Sequence, residues 1–256
     1  MEQAAGCRIL AVTGSGETSP TMVTTHKALA ARLLAGRRAA VLLEAPYGFQ
    51  ENAAGVSARA QAYFARSVGL TVTVLAAPAG QRSGDPAGDG GAAAPPSADW
   101  VFAGPGSPSY ALAQWRGSPV AEALRDRIAA GEGVTVLASA AAATMGFTAV
   151  PVYEIYKAAA APHWLDGLDL LGILGLKVAV IPHYDNAEGG SHDTRYRYLG
   201  ERRLSLLERE LPADAAVLGV DEHTATVIDL RARSPAAAPS PCAGPARALS
   251  CRPAPS

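Results

Sequence analysis

Short runs of apolar, β-branched residues alternate along the chain with longer stretches of helical periodicity. Each run has the length of a buried strand, and each longer stretch has the apolar spacing of an amphipathic helix. The runs predict strands at 8–13, 39–44, 70–75, 99–103, 134–137, 177–181, 216–220 and 224–230. The periodic stretches predict helices at 22–34, 56–68, 110–115, 119–130 and 198–210. This alternation indicates βαβ units, so we predict a three-layer, doubly wound α/β fold with a mainly parallel sheet.

Two segments interrupt the alternation. Residues 78–96 contain mainly Gly, Ala, Pro, Asp and Ser and no large apolar side chain, which predicts a mobile surface loop. Residues 231–256 change abruptly to Ala, Pro, Ser and Arg, which predicts a disordered tail. We therefore expect a single α/β domain over 1–230.

Composition narrows the classes of function. Hydrophobic residues make up 49% of the 256 positions, enough for a large core. The net charge of −1 offers no electrostatic footprint for nucleic acid or an anionic membrane. The sequence contains no uninterrupted apolar stretch of about 18 residues, so we expect no membrane span. The three cysteines form no close pair, which favours a reducing cytoplasm over a disulfide framework.

Ser139 lies at a predicted strand-to-helix junction, between the apolar run 134–137 and the alanines at 140–143. Such a turn is how α/β hydrolases present a serine nucleophile, because the helix N-terminus favours developing negative charge. A buried N-cap serine is the alternative interpretation. Glycines are usual two residues before and after such a nucleophile, and Leu137 and Ala141 stand there instead.

Other polar residues share the same predicted edge of the sheet, because ligands bind at the carboxyl ends of parallel strands. His183 and Glu222 each follow a later strand. A serine, a histidine and a carboxylate at strand ends match the roles of a catalytic triad, which needs no cofactor. The backbone amide of Ala140, with that of Gly106 or Gly104, would form the oxyanion hole.

Several short motifs occur in a fixed order over roughly residues 8–230, each near a predicted strand end. They are Gly14-Ser15-Gly16-Glu17, Phe102-Ala103-Gly104-Pro105-Gly106-Ser107, Ser139-Ala140 with Met145, Pro182-His183-Tyr184 followed by Thr194-Arg195, and Gly219-Val220-Asp221-Glu222-His223-Thr224-Ala225. Together this set resembles the cyanophycinase and dipeptidase E family of serine peptidases, which has the class I glutamine amidotransferase-like fold.

The resemblance implies an exopeptidase that cleaves a small peptide or amide through an acyl-enzyme. It assigns Ser139 as nucleophile, His183 as general base and Glu222 as the acid that orients the histidine, with Asp221 as the alternative acid. The family acts on dipeptide units that contain an acidic residue. Candidate substrate-binding residues are Glu17, Gly104, Ser107 and Arg195. The expected partner is a small peptide or amide substrate, and a homodimer is compatible with the sequence.

Two other functions stay open on the sequence. A binding protein without catalysis on the same scaffold is favoured by the missing elbow glycines and by Pro105, which removes an amide donor from the oxyanion loop. A metal-dependent hydrolase would use His183, Asp185, His192 and Asp193, since imidazole and carboxylate are common ligands.

Some other polar residues are interpreted as structural. His26 and His163 are expected to be surface or core residues with ordinary hydrogen bonds. Arg195 and Arg197 are expected on a solvated face, although an acidic substrate could use them.

Overall fold

The computed structural model describes residues 8–33, 39–76 and 98–230. The predicted loop at 78–96 and the predicted tail at 231–256 lie outside these ranges. The strands are β1 (Arg8–Thr13), β2 (Ala40–Leu43), β3 (Val72–Leu75), β4 (Trp100–Ala103), β5 (Gly133–Ala138), β6 (Thr148–Ala149), β7 (Leu165–Asp166), β8 (Val178–Pro182), β9 (Ala216–Val220) and β10 (Ala225–Asp229). The α-helices are α1 (Val23–Ala30), α2 (Ala53–Tyr63), α3 (Pro108–Trp115), α4 (Pro119–Ala130), α5 (Ser139–Ala143), α6 (Val152–Tyr156) and α7 (Gly200–Glu208).

The strands form two sheets instead of one. The larger sheet has the order β10-β1-β5-β4-β2-β3 and is parallel except for β10, which pairs antiparallel with β1. The smaller sheet has the order β7-β6-β8-β9, with β7 antiparallel. The two-residue strands β6 and β7 were not predicted, because so short a pairing leaves no periodicity in the sequence. The α/β class and the mainly parallel pairing are as predicted.

The larger sheet is buried on both faces, which explains why its strands are apolar without alternation. On one face Ile9 and Phe102 pack with Phe64, which follows α2. On the other face Leu10 and Leu137 pack with side chains of α3 and α4. That second core continues into the smaller sheet through residues of β8 and β9, so one hydrophobic cluster joins the two sheets.

Helix α5 lies where the two sheets meet. Its alanines at 140–143 are all buried, and the helix contacts both β5 and β8. Alanine has no side chain beyond Cβ, so the sheets approach closely on either side of the helix. The carboxyl ends of β5 and β8 are thereby brought together. No helix of the described ranges is both long and apolar enough to cross a bilayer.

Arg127 ties α4 to the larger sheet from a buried position. Its Nε donates to Thr135 Oγ1 at 2.8 Å, and its Nη2 donates to the Val134 carbonyl at 3.2 Å. Removing the guanidinium would leave these buried acceptors without hydrogen bonds. Each such loss lowers the free energy of unfolding by about 1–3 kcal/mol.

We expect Arg127→Met to lower the free energy of unfolding by about 1–3 kcal/mol in urea titrations followed by circular dichroism. The exposed Arg66→Met serves as the control and should leave the free energy of unfolding within about 0.5 kcal/mol of wild type. Equal midpoints for the two variants would contradict this role for Arg127.

Candidate active site

Ser139 lies on a sharp, left-handed turn directly after β5. Its φ is 46°, a region that side-chain-bearing residues rarely adopt and that costs on the order of 1–3 kcal/mol. The turn forms although Leu137 and Ala141 replace the usual glycines. The Ala141 amide donates to the Gly104 carbonyl at 3.2 Å, which ties the turn to the loop after β4. Ser139 is 7% exposed, so this residue is largely buried where the two sheets meet.

His183 follows β8 in the same way. Its φ is 52°, so it is the second residue of this site that has left-handed backbone at the end of a strand. The imidazole Nε2 lies 2.9 Å from Ser139 Oγ. The serine and the histidine therefore meet across the boundary between the two sheets.

Glu222 completes a hydrogen-bonded chain of three side chains. Its Oε1 lies 2.7 Å from His183 Nδ1. A carboxylate can only accept, so Nδ1 carries the imidazole proton and Nε2 presents a lone pair to the Ser139 hydroxyl. This is the arrangement in which a histidine can accept the proton of a serine nucleophile. Of the two adjacent candidate acids, the side chain in contact with the imidazole is that of Glu222.

Two further residues hold Glu222, and neither was predicted to act at this carboxylate. The buried Asn186 donates from Nδ2 to Glu222 Oε1 at 3.0 Å, and its Oδ1 accepts the Glu188 amide at 3.3 Å. The second bond fixes which end of the amide faces the carboxylate. Asp185 Oδ1 accepts the backbone amide of Glu222 at 2.7 Å. Neither contact has a sequence signal, since it joins loops more than 30 residues apart.

The surroundings lower the pKa values of both His183 and Glu222. Burial lowers the pKa of His183, and the Arg197 guanidinium lowers it further, against the opposing effect of Glu222. Burial alone would raise the pKa of Glu222, but hydrogen bonds from Asn186 and His183 outweigh it, and the net shift is downward. Near neutral pH the imidazole is therefore neutral and the carboxylate ionised, as a general base and its orienting acid require.

Arg197 lies in an unusual turn that packs against His183. Tyr196, Arg197 and Tyr198 have successive φ values of 57°, 58° and 61°, and the Arg197 amide donates to the His183 carbonyl at 3.0 Å. Arg197 is only 4% exposed, so its expected position on a solvated face was wrong. Burial lowers the pKa of its guanidinium to about 10, which leaves it charged at neutral pH. Its buried Nη1 finds no acceptor among the described residues.

Arg195, the arginine proposed from the sequence for substrate binding, lies on the surface. Its Nε donates to Asp193 Oδ1 at 2.9 Å, and its Nη2 lies 3.7 Å from Glu201. Its charge is thus already engaged. Arg197 is the arginine in contact with the triad loop, and the sequence could not separate the two because both occur in one polar stretch.

Of the oxyanion-hole candidates, Ala140 follows Ser139 directly, and Gly104 is tied to the same turn through the Ala141 amide. The amide of Ala140 is in the first turn of α5 and so has no intrahelical acceptor. Gly106 has a φ of 133°, and a Cβ there would lie 1.9 Å from the Pro46 carbonyl oxygen, so only glycine fits. The buried Ser107 caps α3, since its hydroxyl accepts the Tyr110 amide at 3.2 Å. That hydroxyl has a structural role as a helix cap, and its predicted contact with substrate stays a prediction.

Glu17 lies against the same loop from the other side of β5. It is 6% exposed, and its Oε1 would be 2.9 Å from a Cβ at Gly104. Burial raises the pKa of its carboxyl group. Its carbonyl accepts a hydrogen bond from the buried His26 at 2.8 Å, which accounts for that histidine as a structural residue.

The candidate metal ligands do not form a site. Within 8–33, 39–76 and 98–230, no three His, Cys, Asp or Glu side chains are arranged to hold a metal ion. Asp185 is engaged with Glu222, and His192 Nε2 lies 3.3 Å from the Tyr156 hydroxyl. The exposed His163 lies within hydrogen-bond distance of the nearby Ala161 carbonyl.

Solved peptidases share this fold. A peptidase from an acI-B1 Actinobacterium superposes with a TM-score of 0.62 at 18% sequence identity, over 87% of this chain and 83% of that one. A candidate Peptidase E protein from Listeria monocytogenes EGD-e superposes with a TM-score of 0.55 at 15% identity, over 87% of this chain and 95% of that one. No family model matches the chain, and no curated protein matches it. The likeness confirms the predicted fold class and agrees with the predicted resemblance at the level of fold.

Asn186→Ala removes one of the two side-chain donors to Glu222 Oε1. Because a hydrogen bond to a charged group contributes about 1.5–3 kcal/mol, we expect Ser139 to react with a fluorophosphonate roughly tenfold to a hundredfold more slowly. Labelling kinetics by mass spectrometry would measure this. The control is Asn52→Ala, whose side chain makes no cap hydrogen bond at the start of α2. An unchanged rate in Asn186→Ala would contradict the role given to the amide.

Arg197→Met removes a positive charge that lowers the pKa of His183. Neutral His183 is the active form, so reactivity is lost as pH falls through its pKa. That acid limb should lie below the pH expected of an ordinary histidine, about 6.5. In Arg197→Met the limb should move to higher pH, while Arg195→Met, whose charge is paired on the surface, should leave it in place. A limb that moves equally in both variants, or in neither, would refute this effect of Arg197.

Proposed function

We propose that the protein is a serine-type hydrolase that cleaves a small peptide or amide through an acyl-enzyme. The observation that carries the proposal is the continuous hydrogen-bonded chain from Ser139 through His183 to Glu222, at 2.9 and 2.7 Å. The fold shared with peptidases supports it. We further propose Ser139, His183 and Glu222 as nucleophile, general base and orienting acid.

In the proposed reaction Ser139 Oγ attacks the scissile carbonyl carbon while His183 Nε2 takes the hydroxyl proton. The C–N bond then breaks, His183 returns the proton to the leaving nitrogen, and the acyl group remains on Oγ. Water, deprotonated by the same imidazole, hydrolyses the ester. Glu222 stabilises the transient imidazolium, and the amides of Ala140 and Gly106 would stabilise the oxyanion.

The finer proposal is an exopeptidase of the cyanophycinase and dipeptidase E type. Its basis is the ordered set of sequence motifs, together with the buried position of Ser139, which favours a short substrate over a folded one. The buried guanidinium of Arg197 contributes positive charge beside His183, which favours a substrate that carries a negative charge.

A binding protein without turnover is the second candidate, and Pro105 is the observation that favours it. Proline has no amide proton, so the loop after β4 has one donor fewer for an oxyanion. The elbow itself forms with the φ of a strained nucleophile turn. The missing elbow glycines therefore no longer favour this candidate.

A fluorophosphonate probe should label wild-type protein at Ser139, because His183 is placed to take the hydroxyl proton. Ser139→Ala should abolish labelling, whereas Ser118→Ala, which alters a helix cap remote from the site, should not. Peptide mapping by mass spectrometry would locate the adduct. Absence of labelling, combined with ligand-induced thermal stabilisation that survives Ser139→Ala, would select the binding protein instead.

A further inference from the structure

A cavity of about 400 Å³ lies near the histidine of the triad, which is not itself among the lining residues. Its walls come from α6, the loop at 188–194 and Tyr198. The Tyr198 ring forms a wall of the cavity, and its centroid lies 6.4 Å from that of the His183 imidazole. This volume lies in the range of small-molecule sites, roughly 300–1,000 Å³.

The position of the cavity decides which part of a substrate it can take. In the proposed reaction His183 passes its proton to the leaving nitrogen, so the leaving group lies on the side of the imidazole. The cavity next to the imidazole therefore receives the leaving group, and the acyl part lies toward the oxyanion loop. This step rests on the proposed function.

The walls are aromatic. The Tyr156 ring lies 5.2 Å from the Tyr198 ring and stacks on His192 at 6.3 Å with an interplanar angle of 16°. Tyr153 also lines the cavity and is exposed. Rings arranged in this way accept another ring in stacked or edge-to-face contact, the geometries that aromatic pairs prefer.

One cation lines the cavity and lacks an acidic partner. Lys157 Nζ lies 5.0 Å above the Tyr156 ring and forms no ion pair with any residue in the described ranges. The only carboxylate of the lining, Glu188, already accepts the Tyr198 hydroxyl at 2.5 Å. A hydrogen bond from a neutral phenol leaves that carboxylate charged, so Lys157 is the group of the described lining that suits a substrate carboxylate.

We propose that this cavity binds the leaving group as an amino acid with an aromatic side chain and a free carboxylate. The ring would lie among Tyr156, His192 and Tyr198, and the carboxylate would face Lys157. The protein would then release a C-terminal aromatic residue from a short peptide. The scissile C–N bond breaks, the acyl group passes to Ser139 Oγ, and the amino acid leaves with the proton from His183.

The substrates that test this are dipeptides with Asp or Ala first and Phe, Leu or Gly second, together with the C-terminal amides of the Phe compounds. We expect kcat/KM to be at least about tenfold higher for Phe than for Gly, and the amide to lose about tenfold. Tyr156→Leu should lower kcat/KM for the Phe substrates and leave kcat/KM for the Gly substrates unchanged. Lys157→Met should remove the difference between acid and amide.

Lys177→Met is the matched control, because Lys177 is an exposed lysine that does not line the cavity. Its Nζ pairs with Asp214 Oδ1 at 2.8 Å. It should leave all ratios unchanged. Wild-type kcat/KM values that do not distinguish Phe from Gly, or a Lys157→Met enzyme that still distinguishes acid from amide, would overturn the proposal.

Binding provides a readout that does not depend on turnover. Calorimetry with the Ser139→Ala protein should show saturable binding of L-phenylalanine and at least about tenfold weaker binding of L-phenylalaninamide. Labelling of Ser139 without the Phe preference would defeat this inference and leave the proposed function standing. If Ser139 is not labelled, the proposed function fails, and phenylalanine binding alone decides the role of the cavity.

Discussion

The close packing of α5 between the two sheets is the constraint on which the candidate site depends. The nucleophile candidate belongs to the larger sheet and the histidine to the smaller one, so their contact requires the ends of β5 and β8 to lie side by side. The buried alanines at 140–143 allow this, because any longer side chain would push the sheets apart. The composition that makes this stretch a good helix is thus also what lets the site assemble.

Backbone strain and charge act together at this junction. Left-handed backbone at Ser139 and again at His183 is unfavourable, and it persists because the hydrogen bonds and packing around it compensate. Asn186 donates to the Glu222 carboxylate, and Asp185 accepts the Glu222 backbone amide, so the carboxylate is held in place. The carboxylate in turn fixes the His183 imidazole in one tautomer. Burial of the imidazole, and after it the charge of Arg197, lower the pKa of His183 and make it a weaker base than an ordinary histidine.

The sequence predicted what depends on local pattern, and it missed what depends on distant contacts. Alternating strands and helices gave the α/β class, and strand ends indicated Ser139, His183 and Glu222, which the structure brings within hydrogen-bond distance. The division into two sheets was not predicted, because the apolar pattern of a strand does not determine which other strand it pairs with. Asn186 and the left-handed turn at 196–198 were missed for the same reason: each is fixed by partners elsewhere in the chain. Ser107 and Arg195 show the converse, since a motif position does not reveal that a polar group is already engaged.

The state of the His183 ring tests the account most directly. Protein with ¹⁵N-labelled histidine, studied by NMR at neutral pH with the other histidines assigned by substitution, reports which ring nitrogen carries the proton. We predict a proton on Nδ1, protected by Glu222, and an unprotonated Nε2 that faces Ser139. A proton on Nε2, or a ring that exchanges freely between tautomers, would contradict it.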